Sequence, residues 1–248
     1  MHYQALAVDY DGTLATDGVV QPATLEALRQ LKKSGRRLVL VTGRIIEQLV
    51  QVFPDLAMCD LVVADNGALL YEPHTGQKKN LTDPPSHEFV AELERRGVQP
   101  IEVGDVIVAT WEPYETVVLE VIRDLALELQ IIFNKGAVMI LPTGVNKATG
   151  LSAALELLEL TPEQTVGIGD AENDEAFLKL CGASVAVENA LDVVKKRVDL
   201  VTKGARGAGV TEVIGQLLAD DLAAIRVRKA QLTVTAADLR ETSGAADL

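Results

Sequence analysis

Two carboxylates lie two residues apart at the end of an apolar run near the beginning of the chain. Asp9 closes the run 5–9, and Asp11 follows in the turn-like segment Asp11-Gly12-Thr13. One carboxylate of such a pair can attack phosphorus while the other handles the proton of the leaving oxygen. Gly12 would let backbone N–H groups approach phosphate oxygens. A solvated acidic turn is the commoner explanation of this spacing, so the pair needs support from other residues.

Two further segments carry groups that bind phosphate. Thr42-Gly43-Arg44 follows the apolar run 37–41, and a hydroxyl beside a free glycine N–H fits an anion, although Thr42 could instead cap a helix. Lys147 lies at a predicted helix start, where a cation is unfavourable for the helix dipole. A surface lysine is the alternative, but its place just after an inserted unit favours a charge aimed into a crevice.

A fourth segment is rich in oxygen ligands. Gly169-Asp170-Ala-Glu172-Asn173-Asp174 places three acids and an amide at a strand-to-helix transition. Acids near a helix N-terminus are ordinary capping residues, yet clustered carboxylates repel one another unless a cation lies between them. Hard oxygen ligands suit Mg²⁺, and the three histidines are too scattered to form a zinc cluster.

These residues follow the strands of a predicted parallel sheet. Strands are expected at 5–9, 37–41, 61–64 and 166–170, and helices at 22–34 and 45–53 lie between the first three. This alternation predicts an α/β fold, a Rossmann-like parallel sheet with helices on both faces. In such sheets the ligand crevice lies outside the carboxyl ends of the strands. Asp9, Asp11, Thr42, Asn66 and Asp170 should therefore converge.

The middle of the chain interrupts this pattern. Residues 72–84 contain Pro73, Gly76 and Pro84, with Pro85 just beyond, and are predicted to form a loop or linker. We predict a small α+β unit over 82–143, inserted into a core made of 1–81 and 144–222. Its expected elements are helices 86–96 and 115–129 and strands 106–109, 131–133 and 137–141. The last two strands are expected to form a hairpin with its turn at 134–136.

The end of the chain is expected to complete the sheet and then change character. Strands are predicted at 184–187 and 200–201 and helices at 147–159, 173–180, 190–197 and 210–223. Residues 223–248 are predicted to form either a tail or the beginning of a further domain. Apolar and polar residues alternate in parts of this segment as they do in strands, and it carries several cations.

Composition narrows the classes of function. The chain has 248 residues, of which 48% are hydrophobic, and a net charge of −13, which argues against a nucleic-acid surface. It contains no apolar run long enough for a membrane span, and its N-terminus lacks the cationic region of a signal peptide. A cytoplasmic location is expected, with Cys59 and Cys181 as reduced, buried thiols rather than a disulfide.

Taken together and in this order, the segments around Asp9, Thr42, Lys147 and Asp170 resemble the four motifs of the haloacid dehalogenase superfamily of phosphatases. The resemblance covers about residues 1–218. The insertion between the second and third motifs is similar to the branch with a Cof-type cap, which includes archaeal phosphoglycolate phosphatases and sugar-phosphate phosphatases. A short cap is most like the phosphoglycolate phosphatase type.

The resemblance assigns roles by position. It implies that Asp9 attacks phosphorus to form an aspartyl-phosphate, that Asp11 acts as acid and base, and that Thr42 and Lys147 hold the phosphoryl group. It implies Mg²⁺ bound by Asp9, the Asp11 carbonyl and Asp170, with support from Asp174 or Asn173. The residues expected to bind substrate or phosphate are Gly12, Gly43, Arg44, Asn66 and Asn173. The expected partner is a small phosphorylated metabolite, and neither nucleic acid nor a membrane.

Several alternatives stay open. A phosphomutase would pass the phosphoryl group from Asp9 to a sugar hydroxyl, and a regulatory module of a larger protein would not need turnover. A homodimer through the cap, or attachment to another domain through 223–248, is also compatible with the sequence. Residues of the inserted unit that could recognise the leaving group, or simply be surface turn residues, are Trp111, Glu112, Asn134 and Lys135.

Overall fold

The computed structural model describes residues 1–227 and residue 229, so most of the predicted tail or further domain at 223–248 lies outside the described residues. Its twelve strands are β1 (Ala5–Asp9), β2 (Arg37–Val41), β3 (Leu61–Ala64), β4 (Leu69–Glu72), β5 (Gln77–Asn80), β6 (Glu102–Val103), β7 (Val108–Trp111), β8 (Leu129–Asn134), β9 (Ala137–Pro142), β10 (Thr165–Gly169), β11 (Ala183–Ala186) and β12 (Leu200–Val201). Its principal helices are α1 (Pro22–Lys33), α2 (Ile46–Val52), α3 (His87–Arg95), α4 (Glu115–Asp124), α5 (Lys147–Leu157), α6 (Glu175–Leu180), α7 (Asp192–Lys195) and α8 (Arg206–Asp220).

The larger sheet has eight strands in the order β12-β11-β10-β1-β2-β3-β4-β5. The six strands from β12 to β3 are parallel to one another. Every residue of β1, β3, β10 and β11 is buried, so helices and loops cover both faces of the sheet. This arrangement confirms the predicted α/β class, with β1 and β10 adjacent and their carboxyl ends side by side.

The predicted loop at 72–84 is wrong in its middle, where Gln77–Asn80 form strand β5. Strands β4 and β5 form an antiparallel hairpin that adds two strands to the edge of the sheet beside β3. All four residues of β5 are exposed, and its sequence Gln-Lys-Lys-Asn offers no apolar alternation. Strand prediction depends on that alternation, so an edge strand of this composition gives no signal.

The inserted α+β unit contains a separate antiparallel sheet in the order β6-β7-β9-β8. Helices α3 and α4 pack on it around a core that includes Phe89, Leu93, Val118 and Ile140. The hairpin of β8 and β9 turns at Lys135 and Gly136, within the predicted turn. Strand β7 begins two residues later than predicted, because residues 106–107 instead contact the core.

Two kinds of contact hold the inserted unit against the eight-stranded sheet. A small apolar cluster joins Ala68, next to β4, to Ile107 and Met139 of the inserted unit. Asp65, which is fully buried, accepts hydrogen bonds at one oxygen from the N–H groups of Val106 at 2.8 Å and Ile107 at 3.2 Å. The unit is thereby fixed over the end of the sheet where β1, β2 and β3 finish.

The Asp65→Asn variant should lose a pH dependence of stability that the wild-type protein has. Burial raises the pKa of Asp65 to about 6, and the two amide hydrogen bonds offset this only in part. A carboxyl whose pKa is higher in the folded than in the unfolded chain stabilises while protonated, and this contribution is lost as the pH rises from about 4 through about 6.

Urea unfolding of both proteins at a series of pH values measures this effect. Between about pH 4 and pH 7 the wild type should lose about 2–3 kcal/mol relative to Asp65→Asn. A stability difference that stays constant over this range would contradict the burial of an ionisable Asp65. Comparison with the variant removes the contribution of carboxyl groups that the two proteins share.

Both cysteines are buried and free, and no disulfide occurs among the described residues. Cys59 and Cys181 therefore belong to the core, as the sequence predicts.

Candidate active site

Asp9, the last residue of β1, lies at the centre of a buried charge cluster. Its Oδ1 accepts a hydrogen bond from Lys147 Nζ at 2.6 Å, and the same ammonium donates to Asp174 Oδ1 at 2.5 Å. Lys147 is 1% exposed and Asp174 is fully buried. Burial, followed by the charge of Asp174, raises the pKa of Asp9 to about 8, while the Lys147 ammonium opposes the rise. A surface position for Lys147 is therefore excluded.

The segment after β10 brings two more carboxylates to this point. Asp170 is 2% exposed, and burial is the main cause of its raised pKa. Asp174 Oδ2 accepts from the backbone N–H groups of Asp170 at 2.8 Å and Ala171 at 3.0 Å, which fixes the loop between strand and helix. Oxygens of Asp9, Asp170 and Asp174 lie within 4.8 Å of one another.

A divalent ion of the Mg²⁺ type fits this donor set. The three carboxylates are buried and close together, and they carry more negative charge than the ammonium groups of Lys147 and Lys135 balance. Mg²⁺ prefers hard oxygen ligands of this kind and keeps several waters. Asp9, Asp170 and Asp174 are thus the side chains that could hold the metal. The family resemblance implied Asp9, Asp170 and the Asp11 carbonyl, with Asp174 or Asn173 in support. The Asp11 side chain points elsewhere, so Asp11 could contribute only its backbone carbonyl.

Asp11 is held by Arg44 on the side of the crevice that faces the inserted unit. Arg44 Nε donates to Asp11 Oδ2 at 2.6 Å, and a terminal guanidinium nitrogen donates to Oδ1 at 2.7 Å. Arg44 also lies 5.5 Å from the centre of the Tyr10 ring. This two-pronged pair orients the Asp11 carboxylate, which keeps partial exposure to the crevice.

The ends of β2 and β3 supply neutral polar groups opposite the acids. Thr42 is 1% exposed, and its hydroxyl accepts from the N–H of Arg44 at 3.1 Å, so it does not cap helix α2, which begins after Ile45. Asn66 Oδ1 accepts from Asn173 Nδ2 at 3.0 Å. Among the described side chains, Asn66 Nδ2 and Asn173 Oδ1 are buried polar atoms without a hydrogen-bond partner. Such atoms are costly unless a ligand completes them.

Two glycines allow the close approaches that build the crevice. A Cβ on Gly12 would lie 2.4 Å from Asp170 Oδ2, and its φ of +88° suits glycine. A Cβ on Gly67 would lie 2.0 Å from the Asn146 carbonyl oxygen, directly before Lys147. These contacts bring the turn after β1 against Asp170 and the turn after β3 against the beginning of α5.

A pocket of about 410 Å³ opens above Asp9 and Asp11. The core contributes Gly43 and Arg44 to its wall. Met139 lines it from the inserted unit, and the Met139 sulfur would lie 3.3 Å from a Cβ on Gly43. The inserted unit therefore closes directly over the acids. Of the four predicted leaving-group residues, three line the pocket and Glu112 does not; the three are Trp111, Asn134 and Lys135.

Two residues of the site were not singled out by the sequence patterns. The Thr13 hydroxyl donates to Asp170 Oδ1 at 3.2 Å in a buried position. Asn189 Nδ2 donates to the Gly12 carbonyl at 2.8 Å, and its Oδ1 accepts from the N–H of Arg206 at 2.7 Å. Thr13 could have been found from its place in the Asp-Gly-Thr segment. Asn189 lies in a segment that is similar to the branch with a Cof-type cap, but its contact with Gly12 joins residues distant in sequence and could not be predicted.

Comparison with known proteins agrees with this geometry. A family model described as haloacid dehalogenase-like hydrolase matches residues 6–109 and 99–214. The chain is 32% identical over 221 residues to a phosphoglycolate phosphatase of Natronomonas pharaonis, covering 84% of this chain and 95% of the relative. A phosphoglycolate phosphatase of Methanothermobacter thermautotrophicus is 29% identical over 226 residues, covering 87% and 99% of the two chains.

The fold is also similar to that of solved structures. A haloacid dehalogenase-like hydrolase from Bacteroides thetaiotaomicron matches with a TM-score of 0.73 and 22% identity, covering 87% of this chain and 99% of that one. The chain belongs to the haloacid dehalogenase-like hydrolase family. Among the helices that the structure describes, none has the length and apolar character needed to cross a membrane.

Proposed function

We propose that this chain is a magnesium-dependent phosphatase that hydrolyses a small phosphate monoester through a phosphorylated Asp9. Its family and relatives make it a phosphoric monoester hydrolase, and the proposal adds the nucleophile, the metal and the class of substrate. The observation that supports it most strongly is the placement of Asp9 at the floor of the pocket. Lys147 lies on one side of this carboxylate, and Asp170 and Asp174 lie around it.

In the first step, a carboxylate oxygen of Asp9 attacks phosphorus and the ester oxygen departs with the proton of Asp11. Arg44 holds the Asp11 carboxyl at the mouth of the pocket, where it can reach the leaving oxygen. In the second step, Asp11 takes a proton from water, which attacks the aspartyl-phosphate and releases phosphate. A bound Mg²⁺ would neutralise part of the charge on the phosphoryl oxygens.

The remaining charge would be met by groups of the chain itself. Lys147 places an ammonium beside Asp9, and the amide of Asn66 has a free N–H in a buried position at the ends of the strands. Thr42 and Gly43 add a hydroxyl and a backbone N–H at the end of β2. In this proposal these donors bind the transferring phosphoryl group in front of Asp9.

We further propose that residues 82–143 act as a cap on a core formed by 1–81 and 144–222. A cap of this kind excludes water and recognises the leaving group. The pocket is small and has charged walls, and the phosphoglycolate phosphatase relatives make a small phospho-acid the leading substrate, with a simple sugar phosphate as the other candidate. A cytoplasmic location is part of the proposal and is supported by two free, buried thiols.

Phosphate release from a panel of phosphorylated metabolites, assayed with and without Mg²⁺, tests this function. Phosphoglycolate and simple sugar phosphates should release phosphate only when the metal is present, without a bisphosphate activator. An isomerised sugar phosphate with no free phosphate would point to a mutase instead. A protein that binds Mg²⁺ yet releases phosphate from no member of the panel would contradict the proposal and favour a regulatory module.

A further inference from the structure

A cation from the inserted unit lies in the acidic crevice. Lys135 Nζ donates to Asp170 Oδ2 at 2.7 Å and lies 3.5 Å from the carbonyl oxygen of Asp11. The Lys135 side chain is about half exposed, whereas the Asp170 side chain is 3% exposed. The ammonium thus reaches from the pocket to an oxygen that the metal site would use.

The backbone conformation of Lys135 is unusual for a lysine in a hairpin turn. Lys135 and Gly136 form the two-residue turn between β8 and β9, with φ values of +50° and +87°. A two-residue hairpin turn with two positive φ angles favours asparagine or aspartate followed by glycine. A lysine in this conformation is strained, and such strain tends to persist at functional positions.

The ammonium occupies Asp170, one of the three carboxylates that could hold a divalent ion. A Cβ on Gly12 would lie 2.4 Å from Asp170 Oδ2 and 2.8 Å from Lys135 Nζ, so the ammonium is wedged between the Asp11-Gly12 turn and Asp170. Mg²⁺ holds its oxygens at about 2.0–2.1 Å, and two cations on one carboxylate oxygen repel each other strongly. Metal binding at Asp170 therefore requires Lys135 to leave.

We propose that Mg²⁺ displaces Lys135 from Asp170, and that the freed ammonium then binds an anionic group on the leaving part of the substrate. This inference rests on the proposed function of the site. Once displaced, Lys135 remains in the wall of the 410 Å³ pocket. The other cation of that wall, Arg44, is engaged with Asp11, so Lys135 supplies the positive charge for a carboxylate-bearing ester. Lys135 is then a specificity residue that becomes available when the metal is bound.

Calorimetric titration of Mg²⁺ into the substrate-free protein tests the displacement. Lys135→Met and Lys135→Asn should bind Mg²⁺ about three- to tenfold more tightly than wild type, because the competing ammonium is gone. Lys135→Asn suits the turn, so it keeps the test valid if Lys135→Met folds poorly. Lys33→Met, at an exposed position of α1, is the matched control and should bind Mg²⁺ as wild type does.

A second arm tests recognition of the leaving group. Lys135→Asn should raise the KM for phosphoglycolate about tenfold. It should leave the KM nearly unchanged for ethyl phosphate, an analogue whose leaving group carries no charge. Equal Mg²⁺ affinity in wild type and both Lys135 variants would overturn the displacement while leaving the phosphatase proposal intact. An equal rise in KM for both esters would overturn recognition of the anionic group. Absence of Mg²⁺ binding in every protein, the wild type included, would overturn the proposed function itself.

Discussion

Replacing Asp9 with asparagine should lower phosphate release by at least about 10⁴-fold while leaving the fold intact. An amide does not attack phosphorus, so the covalent route through this residue is lost. Asparagine has nearly the same shape, and its Oδ1 can still accept the hydrogen bond that Lys147 Nζ donates to Asp9 at 2.6 Å. The loss should therefore appear in kcat.

The stability of the Asp9→Asn variant separates a chemical defect from a structural one. Burial and the neighbouring Asp174 raise the pKa of Asp9 to about 8, which shows that its negative charge is costly in this cluster. Removing that charge should leave the thermal unfolding temperature unchanged or higher. Asp17→Asn, at an exposed position whose positive φ suits asparagine, is a control that should keep full activity.

Phosphate release is measured with Mg²⁺ on variant protein whose mass confirms that the introduced asparagine has not deamidated back to aspartate. Wild type stopped during turnover should carry a phosphoryl group that the variant lacks. Activity above about one part in 10³ of wild type in verified Asp9→Asn protein would refute Asp9 as the nucleophile.

The central sheet could be predicted from the sequence because its strands are buried on both faces. Runs such as 37–41 are continuously apolar after their first residue, and polar residues follow directly after them. The parallel order then places Asp9 and Asp170 together, since β1 and β10 are neighbours in the sheet. The edge hairpin of β4 and β5 escaped prediction because β5 is polar and exposed, so burial leaves no pattern in its sequence.

Contacts between the inserted unit and the core could not be predicted in the same way. Asp65 looks like an ordinary turn residue before Asn66 and Gly67, yet it fixes the backbone of residues 106–107. The ion pair of Lys135 with Asp170 likewise joins residues 35 positions apart in different units of the fold. Such contacts depend on how two units pack, and hydrophobic periodicity carries no information about that packing.

The role of Lys147 could be predicted only in part from its local sequence. A cation at the first position of a helix is unfavourable for the helix dipole, which suggested a functional charge there. The structure adds that the charge is buried between Asp9 and Asp174. Burial disfavours the ammonium, but Asp174 and Asp9 outweigh it and raise the pKa of Lys147. Lys147 is therefore expected to be essential for stability as well as for phosphate binding.

Replacing Lys147 with methionine should lower the free energy of unfolding by about 3–5 kcal/mol at neutral pH in the presence of a chelator. Methionine has a similar volume, so the cost comes from two buried carboxylates left without their cation and not from a cavity. Urea unfolding measures it, and adding Asp174→Asn to the variant should recover part of the loss, because that double variant removes one of the repelling charges. A loss below about 1 kcal/mol would mean that the two carboxylates take up protons at little cost and that the ammonium is dispensable for folding.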